Sequence, residues 1–238
     1  MASNDDYHLY VKFYPNSVIA ESFRSLRTNL LLTNIDKGLH TVVITSAERG
    51  EGKSTICANL AVIMAQAEKK VLLIDCDLRL PSQDKLFNLE RNGGLTGIVG
   101  HFEDESELQF EENLPGLTVI GSGPPPPNPS EFLSSTRFRN FLKSVEKKFD
   151  MVIIDAPPVG LVTDAAILSS LVDGTVLVLD AQFGHRNLAI RARTALQQVN
   201  ANVIGVVLNN VRQERSAYYA YHHSGGEYRA ISGDSSAA

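Results

Sequence analysis

The segment Ala47-Glu48-Arg49-Gly50-Glu51-Gly52-Lys53-Ser54, running on into Thr55, packs glycines, a lysine and a hydroxyl into one short stretch. Gly50 and Gly52 let the backbone curl so that successive N–H groups face an anion. Lys53 can neutralise β- and γ-phosphates, and Ser54 can offer its hydroxyl to Mg²⁺. The pattern is a Walker A loop with Ala47 where a first glycine is usual, so residues 47–55 read as the seat of a magnesium–nucleotide complex. A second cluster is Val71-Leu-Leu-Ile-Asp75-Cys76-Asp77-Leu-Arg79. In extended chain Asp75, Asp77 and Arg79 share one side and Cys76 the other. Two carboxylates there can hold magnesium waters or take a proton from an attacking hydroxyl. A third cluster, Ile154-Asp155-Ala-Pro157-Pro158, sets an acid after an apolar run, the Walker B arrangement that brings a carboxylate to Mg²⁺. Asn209 in Val207-Leu208-Asn209-Asn210 either supplies an amide to the nucleotide base or is a turn asparagine. No Asn-Lys-x-Asp guanine-reading sequence occurs, which tilts the base towards adenine.

These groups need a scaffold that delivers them to one place. Apolar runs at Thr41–Thr45, Val71–Ile74, Leu117–Ile120, Met151–Ile154, Thr175–Leu179 and Val203–Leu208 read as strands buried on both faces. Helical patterns lie between them at Lys53–Gln66, about Glu131–Lys147, Asp164–Leu171 and about Asn187–Val199. This alternation predicts an α/β fold, a mostly parallel central sheet flanked by helices, with ligands at the carboxyl ends of the strands. The acidic clusters and the Walker A loop all follow such ends. An added helix is expected over about 17–32, with Phe23, Leu26 and Leu30 on one side. Gly121–Ser130 holds five of the ten prolines and reads as a stiff surface loop. The predicted division is one domain over 1–211 and a flexible tail over 212–238.

A formal net charge of −5 argues against a nucleic-acid partner held by bulk charge. Cys57 and Cys76 lack metal or disulfide spacing and read as buried thiols of a reducing cytosol. The polar, acidic start is unlike a signal peptide, and no apolar run approaches the ~20 residues of a membrane span. A cytoplasmic or peripheral protein is expected.

The three clusters together resemble the bacterial tyrosine kinases of capsule and exopolysaccharide synthesis. Their Walker A, apolar Asp-x-Asp-x-Arg and apolar Asp-x-Pro-Pro motifs match Ala47–Ser54, Val71–Arg79 and Val152–Pro158. Glu21-x-x-Arg24-x-x-Arg27 and the loop Ser122-Gly-Pro…Asn128-Pro129-Ser-Glu131 extend the likeness over most of the chain. The resemblance implies a P-loop NTPase fold of the Min/Par-like branch, using ATP and Mg²⁺. It implies Lys53, Asp75, Asp77 and Arg79 as catalytic residues, with Asp75 the preferred base and Asp77 second. Ser54, Asp77 and Asp155 would serve the metal. The phosphoacceptors would be Tyr218, Tyr219, Tyr221 and Tyr228, four of the seven tyrosines, presented by another copy. Glu21, Arg24 and Arg27 would join copies into a ring. A transmembrane activator would hold the kinase at the inner face of the cell membrane, and a cognate tyrosine phosphatase is implied. Arg49 departs from the family, which usually shows a neutral residue there, often Pro, whereas relatives of the Min/Par type carry a signature lysine at that place. It either reaches a neighbour's phosphates or pairs with Glu48 or Glu51. A Min/Par-type ATPase switch and a nucleotide-gated scaffold are the alternative readings.

Overall fold

The computed structural model describes residues 9–33, 38–89, 93–101 and 112–212. Tyr7 and the four tail tyrosines lie outside the described residues. The strands among them are β1 (Thr41–Ser46), β2 (Val71–Asp75), β3 (Glu112–Leu114), β4 (Leu117–Ile120), β5 (Met151–Asp155), β6 (Gly174–Asp180) and β7 (Val203–Asn209). They form one sheet in the order β3-β4-β2-β5-β1-β6-β7, parallel except for the β3–β4 pair. Every residue of β1, β2 and β5 is buried, as expected of strands covered on both faces. On β7, at the edge, Val206 and Leu208 are exposed.

Alternate residues of each central strand feed two separate cores, because successive side chains leave opposite faces. Val42, Ile44, Leu73 and Ile153 pack with α1 (Tyr10–Phe13), α2 (Val18–Thr33) and α3 (Lys53–Ala65). Val43, Leu72, Ile74 and Ile154 pack with the opposite layer. That layer holds α5 (Gly94–His101), α6 (Pro129–Ser134), α7 (Thr136–Glu146), α8 (Asp164–Ser169) and α9 (Arg186–Gln198). Both cysteines are free and buried. No helix of the described residues is long and apolar enough to cross a membrane.

The expected helix at about Glu131–Lys147 is two helices. Ser135 is extended (ψ 154°), and its hydroxyl accepts from the Phe138 N–H at 3.1 Å, so it caps α7 and ends α6. The helical turn α4 (Gln83–Leu86), helix α5 and edge strand β3 were absent from the strand and helix pattern. The segment from Leu9 is also part of the domain. Leu9 and Val11 are buried, and the Val11 N–H donates to Asn59 Oδ1 on α3 at 3.0 Å. Asn59 also donates to the Thr55 carbonyl, tying this N-terminal turn to the helix that follows the Walker A loop. Asn59→Ala should lower unfolding stability by about 1–3 kcal/mol through the stranded Val11 N–H. Urea denaturation measures it, and a change below about 0.5 kcal/mol would show the tie to be dispensable.

Candidate functional site

The Walker A loop bridges β1 and α3 and takes its shape from two positive-φ glycines, Gly50 (81°) and Gly52 (89°). At Gly52 a side chain is excluded for a further reason: a Cβ would stand 2.1 Å from Asn209 Nδ2. Gly52 caps α3 without a side-chain bond, which leaves first-turn amides of a well-anchored helix for an anion. The loop is braced from beneath by Glu51, which is buried. Its carboxylate accepts from the Glu48 N–H at 2.8 Å and from the Asp180 N–H at the end of β6 at 3.2 Å. Its carbonyl accepts from Asn209 Nδ2 at 3.0 Å. Glu51 and one N–H of the Asn209 amide therefore support the loop, which leaves Asn209 Oδ1 and the second N–H to meet a base. Arg49 is exposed at the rim; the Glu51 carboxylate, one of its two suggested partners, is already committed to backbone N–H groups.

Lys53 is the centre of the charge cluster. Its Nζ lies 3.1 Å from Asp77 Oδ2, 3.2 Å from Asp155 Oδ1 and 3.0 Å from Ser54 Oγ. Burial works against the ammonium, but Asp155 and Asp77 outweigh it and hold Lys53 above the ordinary lysine range. The ammonium thus gathers the same three oxygen donors that the sequence assigns to Mg²⁺. Two carboxylates and a hydroxyl are hard donors, and they leave coordination positions for phosphate oxygens and water, as Mg²⁺ requires. Among the described residues no group of three or more His, Cys, Asp or Glu could hold a metal. The set fits Mg²⁺ arriving with phosphates rather than in an all-protein cage.

The second motif does not keep its side chains on one side. Strand β2 stops at Asp75, and the chain then wraps around that carboxylate. Asp75 is fully buried; Oδ1 accepts from the Asp77 N–H at 3.0 Å, and Oδ2 from the Ser82 and Gln83 N–H groups at 2.8 and 2.9 Å. Burial, reinforced by nearby Asp155, pushes its carboxyl up to about 7, against the pull of those N–H bonds. Such a value would suit a general base, but geometry comes first. Asp75 does not line the cleft, whereas Asp77 does. Access to the cleft is thus open to Asp77, the second candidate for the base, and not to Asp75, the preferred one. Arg79 turns elsewhere again. Its Nε and Nη2 donate to the two oxygens of buried Asp164 at 2.9 and 3.3 Å, and Ser130 Oγ donates to Asp164 Oδ1 at 2.5 Å. This bidentate pair ties the second motif to α8 and to the end of the proline-rich loop.

The cleft, about 370 Å³, is floored by Gly50 and Gly52–Thr55 and walled by Leu80, Pro157, Pro158, Leu161 and Val162. Leu80 and Leu161 are more than half exposed. The Pro157–Gly160 turn is fastened to the loop. The Thr45 hydroxyl donates to the Pro157 carbonyl at 2.7 Å, and a Cβ on Gly160 would lie 2.4 Å from the Ala47 carbonyl oxygen. A second hollow of about 500 Å³ shares Thr55 with the first and is bounded by Phe23, Leu26, Val207, Asn209 and Val211. Residues the sequence reading passed over are Gln83, Ser130, Asp164, Asp180 and the two leucines. Local spacing holds no sign of their contacts, since each partner lies tens of positions away. On α2, Glu21 and Arg24 form a partly exposed pair at 2.7 Å, while Arg27 donates to the Ile63 carbonyl of its own α3 at 3.3 Å.

Residues 42–222 match the CobQ/CobB/MinD/ParA nucleotide binding domain. The tyrosine-protein kinase YwqD of Bacillus subtilis is 39% identical, over 87% of this chain and 88% of its own. The tyrosine-protein kinase CpsD of Streptococcus agalactiae is 37% identical, over 86% of this chain and 89% of its own. The chimerical protein CapA2B2 superimposes with a TM-score of 0.82 at 37% identity, covering 87% of this chain and 91% of that one. The kinase domain of the Escherichia coli tyrosine kinase ETK gives 0.82 at 30% identity, covering 91% and 85%. The cell division ATPase MinD of Pyrococcus furiosus, at 22% identity and 0.61, shares the fold. This chain belongs to the CobQ/CobB/MinD/ParA nucleotide-binding family and, within it, to the bacterial tyrosine-protein kinases.

Proposed function

We propose that the protein transfers the γ-phosphoryl group of ATP to tyrosine hydroxyls, among them Tyr218, Tyr219, Tyr221 and Tyr228 of another copy. One observation carries this reading: Asp77, a cleft-lining carboxylate 3.1 Å from the Walker A lysine, shares its cleft with the apolar wall of Leu80, Pro157, Pro158, Leu161 and Val162. The triphosphate lies along the loop amides, and the base lies in the hollow beyond Thr55, where Asn209 Oδ1 can accept from an adenine amino group. Ser54 and Asp155, with Asp77 through water, would hold Mg²⁺, which neutralises phosphate charge when bound. The tyrosine ring rests against Leu80, Leu161 and Pro158. Its hydroxyl gives a proton to Asp77, the phenolic oxygen bonds to the γ-phosphorus, and the bond to the bridging oxygen breaks to release ADP. Lys53 neutralises charge on the transferring group. Phosphoryl transfer depends chiefly on positioning and charge stabilisation, which this rigid floor provides. Arg79 acts by holding the second motif against Asp164.

The same reading places the kinase in capsule or exopolysaccharide synthesis, as a ring-forming chain recruited to the membrane by a transmembrane activator and reset by a tyrosine phosphatase. Glu21 and Arg24 are the parts of the oligomerisation helix open to a neighbour. Each phosphotyrosine adds about −1.5 to −2 charges, which loosens an acidic assembly.

Lys53→Met should still unfold cooperatively, at lower stability because Asp77 and Asp155 lose their counter-charge, yet form no phosphotyrosine alone. Mixed with an active copy ending at residue 212, it should become labelled on its own tail; an unlabelled Lys53→Met chain argues against transfer between copies. Asp77→Asn should lower the phosphorylation rate at least ~10²-fold with ADP affinity little changed. Asp75→Asn should instead cost about 1–3 kcal/mol of stability, because an amide cannot accept all three N–H bonds. Steady-state kinetics paired with thermal unfolding separates the two, and the opposite pattern returns the base to Asp75.

A further inference from the structure

Gln83 follows the turn built on Asp75 and carries a fully buried side-chain amide. Its Nε2 donates to Asp155 Oδ2 at 2.8 Å and to the Ser54 carbonyl oxygen at 3.1 Å. Both partners only accept, so the amide cannot be flipped: the NH₂ end must face them and Oε1 must face away. Among the described residues Oε1 is buried with no hydrogen-bond partner, and so is the hydroxyl of the preceding Ser82, a residue that lines the cleft. Native proteins rarely leave buried acceptors unmet, and such atoms point to a ligand or an ordered water. Gln83 bonds one oxygen of Asp155, whose other oxygen contacts the Lys53 ammonium, and Ser82 lines the same cleft as Lys53.

We propose that Gln83 is a positioning residue for magnesium. By bonding Asp155 Oδ2 it fixes the carboxylate with Oδ1 turned to the cation. The hydroxyl of Ser82, which lines the cleft, accepts a hydrogen bond from a water molecule carried by the ion. Gln83 also fastens Asp155, on β5, to the first turn of α3 through the Ser54 carbonyl, so the Ser54 and Asp155 donors keep a constant separation. Outer partners of this kind govern metal affinity without touching the metal. The inference rests on the reading that the loop binds a magnesium–nucleotide complex.

The test uses the whole chain and a fluorescent N-methylanthraniloyl ADP, titrated with MgCl₂ or in EDTA. Gln83→Met keeps the volume and removes the amide. It should raise the half-saturating Mg²⁺ concentration about 10–100-fold, with affinity in EDTA within about twofold of wild type. A side chain that only supports the fold would shift both measurements together or neither. An unchanged Mg²⁺ requirement in Gln83→Met, or an equal loss with and without metal, overturns the proposal. If Gln83→Met does not unfold cooperatively, Ser82→Ala decides. It keeps the backbone bond to Asp75, and a several-fold rise in Mg²⁺ requirement supports the proposal while no rise overturns it. A wild-type chain that binds the nucleotide no better with Mg²⁺ than in EDTA contradicts the underlying magnesium–nucleotide reading instead.

Discussion

The contact on which the site depends is one buried ammonium held by two carboxylates. Lys53, Asp77 and Asp155 come from the start of α3, the turn after β2 and the end of β5. Three separate parts of the chain thus meet within about one hydrogen-bond length. The ammonium offsets one of the two carboxylate charges, which lowers the cost of keeping them out of water, and the negative charge left over suits an arriving cation. Breaking one member would strand the others, so the cluster constrains three elements at once. Because Asp155 and Asp77 hold the ammonium as a cation, the site keeps a fixed positive charge where phosphate oxygens arrive.

Around that cluster the protein spends acidic and amide groups on shape. Glu51 and Asn209 hold the loop to β6 and β7, Asp75 winds the chain that presents Asp77, and Asp164 takes the Arg79 guanidinium. Each carboxylate accepts from at least two donors, which fixes direction more firmly than a single bond. The result is a floor whose amides and cation are set before a nucleotide arrives, the preorganisation that phosphoryl transfer rewards. The mouth is different in kind: Leu80 and Leu161 stand exposed beside Pro157 and Pro158, an apolar lip above a charged floor.

Much of this was legible in the sequence, for identifiable reasons. The β1, β2 and β5 strands are continuous apolar runs because helices cover both faces, so their positions and the acidic ends they deliver could be read directly. The Walker A loop has local geometry and therefore a local signature. Three things were hidden. Asp75, Asp77 and Arg79 follow an alternating spacing, but the strand ends at Asp75, so the alternation has no extended chain to act on. Helix α5 is disguised by Gly94, Gly97 and Gly100, residues that weaken helix propensity. Gln83 and Asp164 act through partners 72 and 85 positions away, and such pairings leave no mark on local pattern.

The claim that unites these features is that the Lys53 cluster serves transfer to tyrosine rather than to water. Its most direct test is to incubate the purified full chain with Mg-ATP and locate phosphate by peptide mass spectrometry while measuring free phosphate in the same sample. Phosphotyrosine at Tyr218, Tyr219, Tyr221 or Tyr228, accumulating with ADP, is the predicted result. Steady release of inorganic phosphate with every tyrosine unmodified would contradict it and return the chain to the ATPase switches that share its fold.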